Sequence, residues 1–123
     1  MIALDASAFA RLLEGLHDRS TDAARVALAA HEANLPPVVL TELLSNPQMT
    51  PDAIAFVTIV PVMSIHDGYW HRAASLRADL LRRTLKGKLA DCLIAQSCID
   101  HDIPLITYDH DFRHFVQAGL KLL

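Results

Sequence analysis

Three carboxylates stand at positions where a folded chain could gather them around a cation. Asp5, Glu42 and Asp109 each lie at or just beyond the end of a short apolar run that predicts a β-strand. The carboxyl ends of parallel strands meet at one edge of a sheet, and ligands bind in the crevice there. The sequence therefore predicts that these three acids converge.

A fourth acid, Asp91, lies in the first turn of a predicted helix, among the apolar residues Leu89, Ala90, Cys92 and Leu93. If that face packs inward, the carboxylate needs a partner, because burying an unpaired charge is costly. Several carboxylates at one end of a sheet also repel one another unless a cation lies between them. Hard oxygen ligands of this kind favour Mg²⁺ or Mn²⁺.

Each acid also has a purely structural interpretation. Asp5 could cap the first helix, and Asp109 could shape a turn. Glu42 and Asp91 could complement the dipoles of the helices that hold them. The metal interpretation therefore depends on all four acids coming together, and not on any one of them.

The elements that must position these acids alternate between strand and helix. Strands are predicted at residues 2–4, 38–40, 103–107 and 120–123, with a weaker edge segment at 60–62. Helices are predicted at 6–16, 20–31, 41–46, 51–58, 67–86, 88–101 and 111–115. This alternation is typical of a three-layer α/β/α fold with a central, mostly parallel sheet of about four or five strands.

Length and composition predict a single domain covering residues 1–123. No apolar run approaches the roughly 20 residues that a membrane-spanning helix needs, and no export signal is recognised. Cys92 and Cys98 lie roughly 240° apart around one predicted helix, which suits neither a disulfide nor a shared metal. We therefore expect a reducing, cytoplasmic setting without a membrane partner.

Charge is unevenly distributed along the chain. The net charge of -3 argues against a generally basic nucleic-acid-binding protein. However, six of the eleven Lys and Arg residues lie between positions 72 and 88. A local basic face is therefore compatible with an acidic protein.

The hydrophobic share of 52% also leaves apolar side chains available for a contact surface.

Four segments, in this order and spacing, resemble the motifs of the PIN-domain family. Residues 4–7 (LDAS) resemble the opening motif, 40–42 (LTE) the second and 91–95 (DCLIA) the third. Residues 106–112 (ITYDHDF) are similar to the closing motif, in which a strand ends in Thr, any residue, Asp and then often Asp-Phe. The resemblance covers essentially the whole chain. PIN domains of this compact size are commonly the VapC-like toxin ribonucleases of toxin–antitoxin pairs.

The resemblance implies a site as well as a fold. It assigns metal ligation to Asp5, Glu42, Asp91 and Asp109, with Ser7, Thr107 and Asp111 as supporting groups. It also implies RNA as substrate, a homodimer, and an antitoxin protein that blocks the site.

RNA cleavage explains why such a cluster would exist. A divalent ion lowers the pKa of its bound water and neutralises charge that develops on the phosphate. We therefore expect Asp5, Asp91 and Asp109 to hold the ion, directly or through water, and Glu42 to orient the attacking water or a second ion. The basic residues before Asp91 could contact RNA phosphates, or could simply form a solvated helix face; they are Arg82, Arg83, Lys86 and Lys88.

Two other functions share parts of this pattern. A non-catalytic PIN-like module that binds RNA or protein would be favoured by the loss of one acid, and none of the four is missing. A small flavodoxin-like signalling or ligand-binding domain would show the same alternation of strands and helices without needing Asp91. A metal-dependent endoribonuclease, the toxin of a toxin–antitoxin pair, remains the leading prediction.

Overall fold

The computed structural model describes residues 1–123 as alternating strands and helices. The strands are β1 (Ile2–Leu4), β2 (Ala33–Asn34) and β3 (Leu105–Ile106). The helices are α1 (Ala6–Leu13), α2 (Arg19–Ala29), α3 (Pro37–Leu44), α4 (Pro51–Thr58), α5 (Tyr69–Arg82) and α6 (Leu89–His101). A 3₁₀ helix, His110–Ala118, follows β3.

The sheet is parallel throughout, with β1 in the middle of the order β2-β1-β3. Single parallel bridges extend it at both edges, Leu35 with Val62 and Leu105 with Leu122. The mostly parallel sheet is therefore confirmed, although it has three strands rather than four or five. At one edge the neighbouring Pro61 has no N–H to donate, and its carbonyl accepts from the Leu35 N–H at 2.9 Å.

Helices cover both faces of this sheet. The chain passes from β1 to β2 through α1 and α2, and returns from β2 to β3 through the four later helices. These two connections cross the sheet in opposite directions, so right-handed crossovers place their helices on opposite faces. The predicted three-layer arrangement follows, and its core centres on the fully buried side chains of Leu4, Phe9, Leu80, Leu105 and Phe112.

The predicted strand at residues 38–40 is wrong. These residues lie inside α3, and the strand of this region is β2, which precedes the two prolines. Pro37 occupies the first turn of the helix, where a missing N–H costs nothing. Val39 and Leu43 are both buried, and their separation of four residues is helical. A short apolar run is buried both in a strand and in a helix, so the apolar pattern alone could not separate a strand from a helix at residues 38–40.

The long helix predicted at 67–86 is also shorter than expected. Gly68 precedes α5 with a φ of 82°, in the left-handed region, and Thr84 lies beyond its end with a φ of 57°. The helix therefore begins after Gly68 and ends at Arg82, before Gly87, the residue that was expected to break it. Residues 83–88 therefore connect α5 to α6 without helical structure, beginning with a turn at Arg83 and Thr84.

The two long helices α5 and α6 pack against each other and carry no disulfide. Cys92 and Cys98 are both free and buried in α6. Burial raises the pKa of the Cys98 thiol to about 12, so this side chain behaves as a small apolar group. None of the helices has the length and apolar content needed to cross a membrane.

Candidate active site

The candidate site lies at the carboxyl ends of the adjacent parallel strands β1 and β3. Asp5 directly follows β1, and Asp109 lies just beyond β3. The charge of Asp109 raises the pKa of Asp5, which places the two carboxylates within electrostatic reach of each other. The strand-end argument therefore placed this pair in the correct part of the fold.

Asp5 is the most buried of the four acids, with 4% of its surface exposed. One carboxylate oxygen accepts from the Ala8 N–H at 2.9 Å, which caps α1, and from the Ser7 hydroxyl at 2.7 Å. The other oxygen accepts from the Thr107 hydroxyl. Burial is the main influence and raises the pKa of Asp5, against the lowering effect of these hydrogen bonds. Asp5 therefore caps α1 and is also a member of the candidate site.

Thr107 connects the two strand ends. Its hydroxyl donates to Asp5 and accepts from the Asp109 N–H at 3.0 Å. Asp109 in turn accepts from the Asp111 N–H at 2.9 Å and caps the 3₁₀ helix. Ser7 accepts from the Tyr108 N–H at 2.9 Å, which ties the start of α1 to the same segment. Ser7 and Thr107 thus support Asp5 directly, whereas Asp111 contacts Asp109 through its backbone.

Asp91 approaches this group from the first turn of α6. Partial burial is the largest cause that raises its pKa, and the charge of Asp109 is the next. Asp5 and Asp111 add to the increase, while Lys88 is the only cation that opposes it. Asp91 is therefore half-buried and within electrostatic reach of Asp109, Asp111 and Asp5.

Glu42 enters from α3, which packs against both α1 and α6. It lies in the middle of this helix and not at a strand end, because β2 ends at Asn34. Glu42 is also more exposed than Asp5. Partial burial raises its pKa, followed by the charges of Asp91 and then Asp5. Glu42 lies within electrostatic reach of Asp91 and Asp5, although the strand that was predicted to position it is absent.

The four acids share one environment without forming a finished metal site. Three of them, Asp5, Glu42 and Asp91, have raised pKa values with burial as the first cause. No three acidic, histidine or cysteine side chains lie close enough together to hold a metal as they stand. Mg²⁺ usually keeps several waters and binds through one or two carboxylates. The donor chemistry and the crowding of negative charge therefore fit Mg²⁺ or Mn²⁺, held partly through water.

Two of the four predicted basic contacts border the acids. The Lys86 ammonium lies 4.0 Å from a carboxylate oxygen of Asp111, and Lys88 acts on the pKa of Asp91. Arg83 is engaged elsewhere, with Asp79 at 3.3 Å and the Gln117 amide oxygen at 2.9 Å. Arg82 ends α5 and forms no ion pair.

One constellation beside the acids was missed from the sequence. The Tyr108 hydroxyl donates to both carboxylate oxygens of Asp18, at 2.6 and 2.7 Å. The Arg11 guanidinium stacks on the Tyr108 ring, 4.1 Å from its centroid. The spacing of Ser7 and Arg11, four residues apart on α1, was the available signal, because it places both on one face.

Comparison with known proteins gives a family model and a set of similar folds. A model of the PIN domain matches residues 2–117. One similar chain comes from the crystal structure of VapBC2 from Rickettsia felis bound to a DNA fragment from the promoter of these proteins. It has a TM-score of 0.74 and 18% sequence identity, and the match covers 100% of this chain and 98% of that chain. A chain of VapBC-5 from Mycobacterium tuberculosis, a member of the VapBC family of toxin–antitoxin systems, has a TM-score of 0.66 and 20% identity, covering 99% and 98%. No curated protein sequence gives a significant match.

Proposed function

Because the chain belongs to the PIN-domain family, we propose that it is a divalent-metal-dependent endoribonuclease that hydrolyses RNA phosphodiester bonds. The observation that carries the proposal is that Asp5, Glu42 and Asp91 each have a pKa raised first by burial and then by the charge of at least one other acid of the predicted site. Acids that only cap helices or shape turns do not need to lie near one another, whereas carboxylates with perturbed pKa values cluster at functional sites. A cation would relieve their mutual repulsion.

In this proposal Asp5, Asp91 and Asp109 hold Mg²⁺ or Mn²⁺, directly or through water. When bound, the ion lowers the pKa of a water molecule and neutralises charge on the phosphate. Ser7 and Thr107 fix the Asp5 carboxylate by donating to different oxygens. Each carboxylate oxygen has two lone pairs. One oxygen of Asp5 already accepts from both the Ser7 hydroxyl and the Ala8 N–H, whereas the other accepts only from Thr107 and retains acceptor capacity.

Glu42 would orient the attacking water or a second ion. It is exposed enough to reach a bound water, and its raised pKa makes its carboxylate a better proton acceptor than an ordinary glutamate. Lys86 and Lys88 would contact RNA phosphates at the edge of the site. Their position beside Asp111 and Asp91 supports this role more strongly than that of Arg82 or Arg83.

The cellular role that we propose is the toxin of a toxin–antitoxin pair. The two similar structures belong to VapBC systems, although identities of 18% and 20% carry the fold and not the activity. An antitoxin protein and a second copy of the chain would be the partners. Both need apolar contact area, and several large apolar side chains are exposed, among them Val26 (70%), Ile59 (76%), Trp70 (59%) and Leu89 (60%).

Cleavage of purified RNA tests the proposed activity. The protein should cleave only with Mg²⁺ or Mn²⁺, and Asp91→Asn should abolish cleavage while keeping the fold. Asp52→Asn is the matched control, because Asp52 also lies in the first turn of a helix, α4, away from the acids. Full activity in EDTA, or an active Asp91→Asn variant, would refute the mechanism. RNA binding without cleavage by the unmodified protein would favour the non-catalytic module.

Expression in a growing bacterium tests the toxin role separately. The unmodified chain, made without a partner protein, should arrest growth, and the Asp91→Asn chain should not. Normal growth with protein that is active after purification would point to a housekeeping ribonuclease.

A further inference from the structure

One cation on α1, the helix that Asp5 caps, has no ion-pair partner. Arg11 is exposed on α1 and takes part in no ion pair. Its guanidinium stacks on the Tyr108 ring at 4.1 Å from the centroid, and no other cation in the chain stacks on an aromatic ring. Stacking leaves the N–H groups at the edge of the guanidinium free to donate.

The Tyr108 ring that carries this guanidinium is held at two points. Its hydroxyl donates to the two oxygens of Asp18, and its backbone N–H donates to the Ser7 hydroxyl. Asp18 is itself fixed, because one of its oxygens accepts from the Thr21 N–H at 2.8 Å. The ring is therefore a rigid support, and Arg11 loses little conformational freedom when its free edge binds a ligand.

The same segment leads directly into the candidate site. Tyr108 lies between Thr107, which donates to Asp5, and Asp109. Consecutive Cα atoms are about 3.8 Å apart, so the base of the Tyr108 side chain is adjacent to both positions. Arg11 also lies one helical turn beyond Ser7, on the face of α1 that contacts this segment.

We propose that Arg11, held on the Tyr108 ring, binds a backbone phosphate of single-stranded RNA next to the phosphate that is cleaved. A guanidinium presents a planar fork of donors that matches phosphate oxygens. Arg11 covers one face of the Tyr108 ring, so a nucleic-acid base has no access to that face, and a phosphate is the ligand that suits the free guanidinium edge. This inference rests on the proposed ribonuclease function and adds a contact on α1, separate from Lys86 and Lys88 between α5 and α6.

Salt dependence of RNA binding tests this contact apart from catalysis. A fluorescein-labelled single-stranded RNA of about 12 nucleotides is titrated in EDTA, which prevents metal-dependent cleavage. Arg11→Gln should reduce the slope of log K against log salt by about 0.7, the value for one phosphate contact on a single strand. Arg25→Gln removes the same charge from a guanidinium already engaged by the Leu16 carbonyl at 2.6 Å and by Asp22, and should leave the slope unchanged.

Cleavage kinetics with Mn²⁺ give the second measurement. Arg11→Gln should raise KM by about 3- to 5-fold, the range for one exposed charge contact, with a smaller effect on kcat. Arg11→Lys should restore most of the salt slope but not all of the affinity, because lysine keeps the charge without the planar fork. Tyr108→Leu, which removes the support, should raise KM in the same direction as Arg11→Gln.

The possible outcomes are distinct. An Arg11→Gln slope equal to that of the unmodified protein, an equal loss in Arg25→Gln, or no RNA binding by the unmodified protein would overturn the phosphate contact. If the unmodified protein binds RNA without cleaving it, the ribonuclease proposal fails, while the difference in slope between Arg11→Gln and Arg25→Gln still establishes the contact.

Discussion

Replacing Thr107 with valine removes the hydroxyl that connects the two strand ends and changes the shape of the side chain little. The Thr107 hydroxyl donates to a carboxylate that is 4% exposed, and a hydrogen bond to a buried charged group contributes about 1.5–3 kcal/mol. The Asp109 N–H also loses its acceptor, which adds about 0.5–1 kcal/mol because this residue is only half-buried. The free energy of unfolding should therefore fall by about 2–4 kcal/mol.

This loss should depend on pH in a defined direction. Burial already raises the pKa of Asp5 above its ordinary value of 3.8, and the Thr107 hydrogen bond opposes that increase. Without the hydroxyl, the folded pKa rises further. A carboxyl with a raised folded pKa destabilises the protein once it is ionised, so its penalty is absent at low pH and complete above the folded value. The difference between the two proteins should therefore widen as pH rises from the folded pKa of the unmodified protein to that of Thr107→Val.

Thermal melts in EDTA at about pH 4 and about pH 7 measure both effects. A loss of about 2–4 kcal/mol corresponds to a fall in Tm of roughly 10 °C at neutral pH for a domain of this size. Thr58→Val is the matched control, because the Thr58 hydroxyl donates only to the Ile54 carbonyl of its own exposed helix. Its effect should stay within about 0.5 kcal/mol. If the two variants melt alike at neutral pH, or if the Thr107→Val loss is equal at both pH values, the hydroxyl does not hold Asp5 as described.

Three further predictions concern charge and thiol chemistry. Because the pKa of Asp91 is raised, Asp91→Asn should increase the metal-free Tm at neutral pH by about 3 °C and reduce the further gain in Tm on adding Mn²⁺. The control Asp52→Asn should lower Tm slightly and leave the Mn²⁺ gain unchanged. A lower metal-free Tm for Asp91→Asn, with an unchanged Mn²⁺ gain, would make Asp91 a structural residue. Arg72→Met should lower Tm at neutral pH, because the hydrogen bonds from Arg72 hold the pKa of Asp100 below 3.8. This stability is lost as pH falls through the folded pKa of Asp100, so the Tm difference between the variant and the unmodified protein should disappear at low pH. A Tm difference that persists in acid would contradict this prediction. The Cys98 thiol, with its pKa raised to about 12, should be alkylated only at the rate of global unfolding, so rapid labelling of the native protein would disprove its burial.

The features of the fold that were predicted are those that local chemistry determines. The helix at 51–58 was predicted with the bounds of α4, because Thr50 caps it through the Ala53 N–H and Pro51 occupies its first position. Asp5 and Asp109 were placed correctly because each directly follows a strand pattern or lies close beyond one. These signals lie within a few residues of the feature that they predict.

What could not be predicted depends on partners far along the chain. The position of β2 depends on which segment pairs with β1, and residues 38–40 are as suitable for a buried strand as for the buried face of α3. The contact between Tyr108 and Asp18 joins residues 90 positions apart, and no periodicity reports it. The approach of Glu42 to Asp91 is likewise set by the packing of α3 on α6. The strand-end argument grouped Asp5, Glu42 and Asp109, and the family resemblance assigned Asp91 to the same site.

The position of β1 in the sheet also governs when the site can exist during synthesis. β1 leaves the ribosome well before its neighbour β3, and the hydrogen bond from Thr107 to Asp5 spans 102 positions. Contacts this distant form late and slow the folding of a chain, because a long loop must close before they contribute. A nascent chain therefore carries the acids on separate, unassembled segments until β3 has been made. The ribonuclease that we propose would therefore stay inactive until β3 has been made.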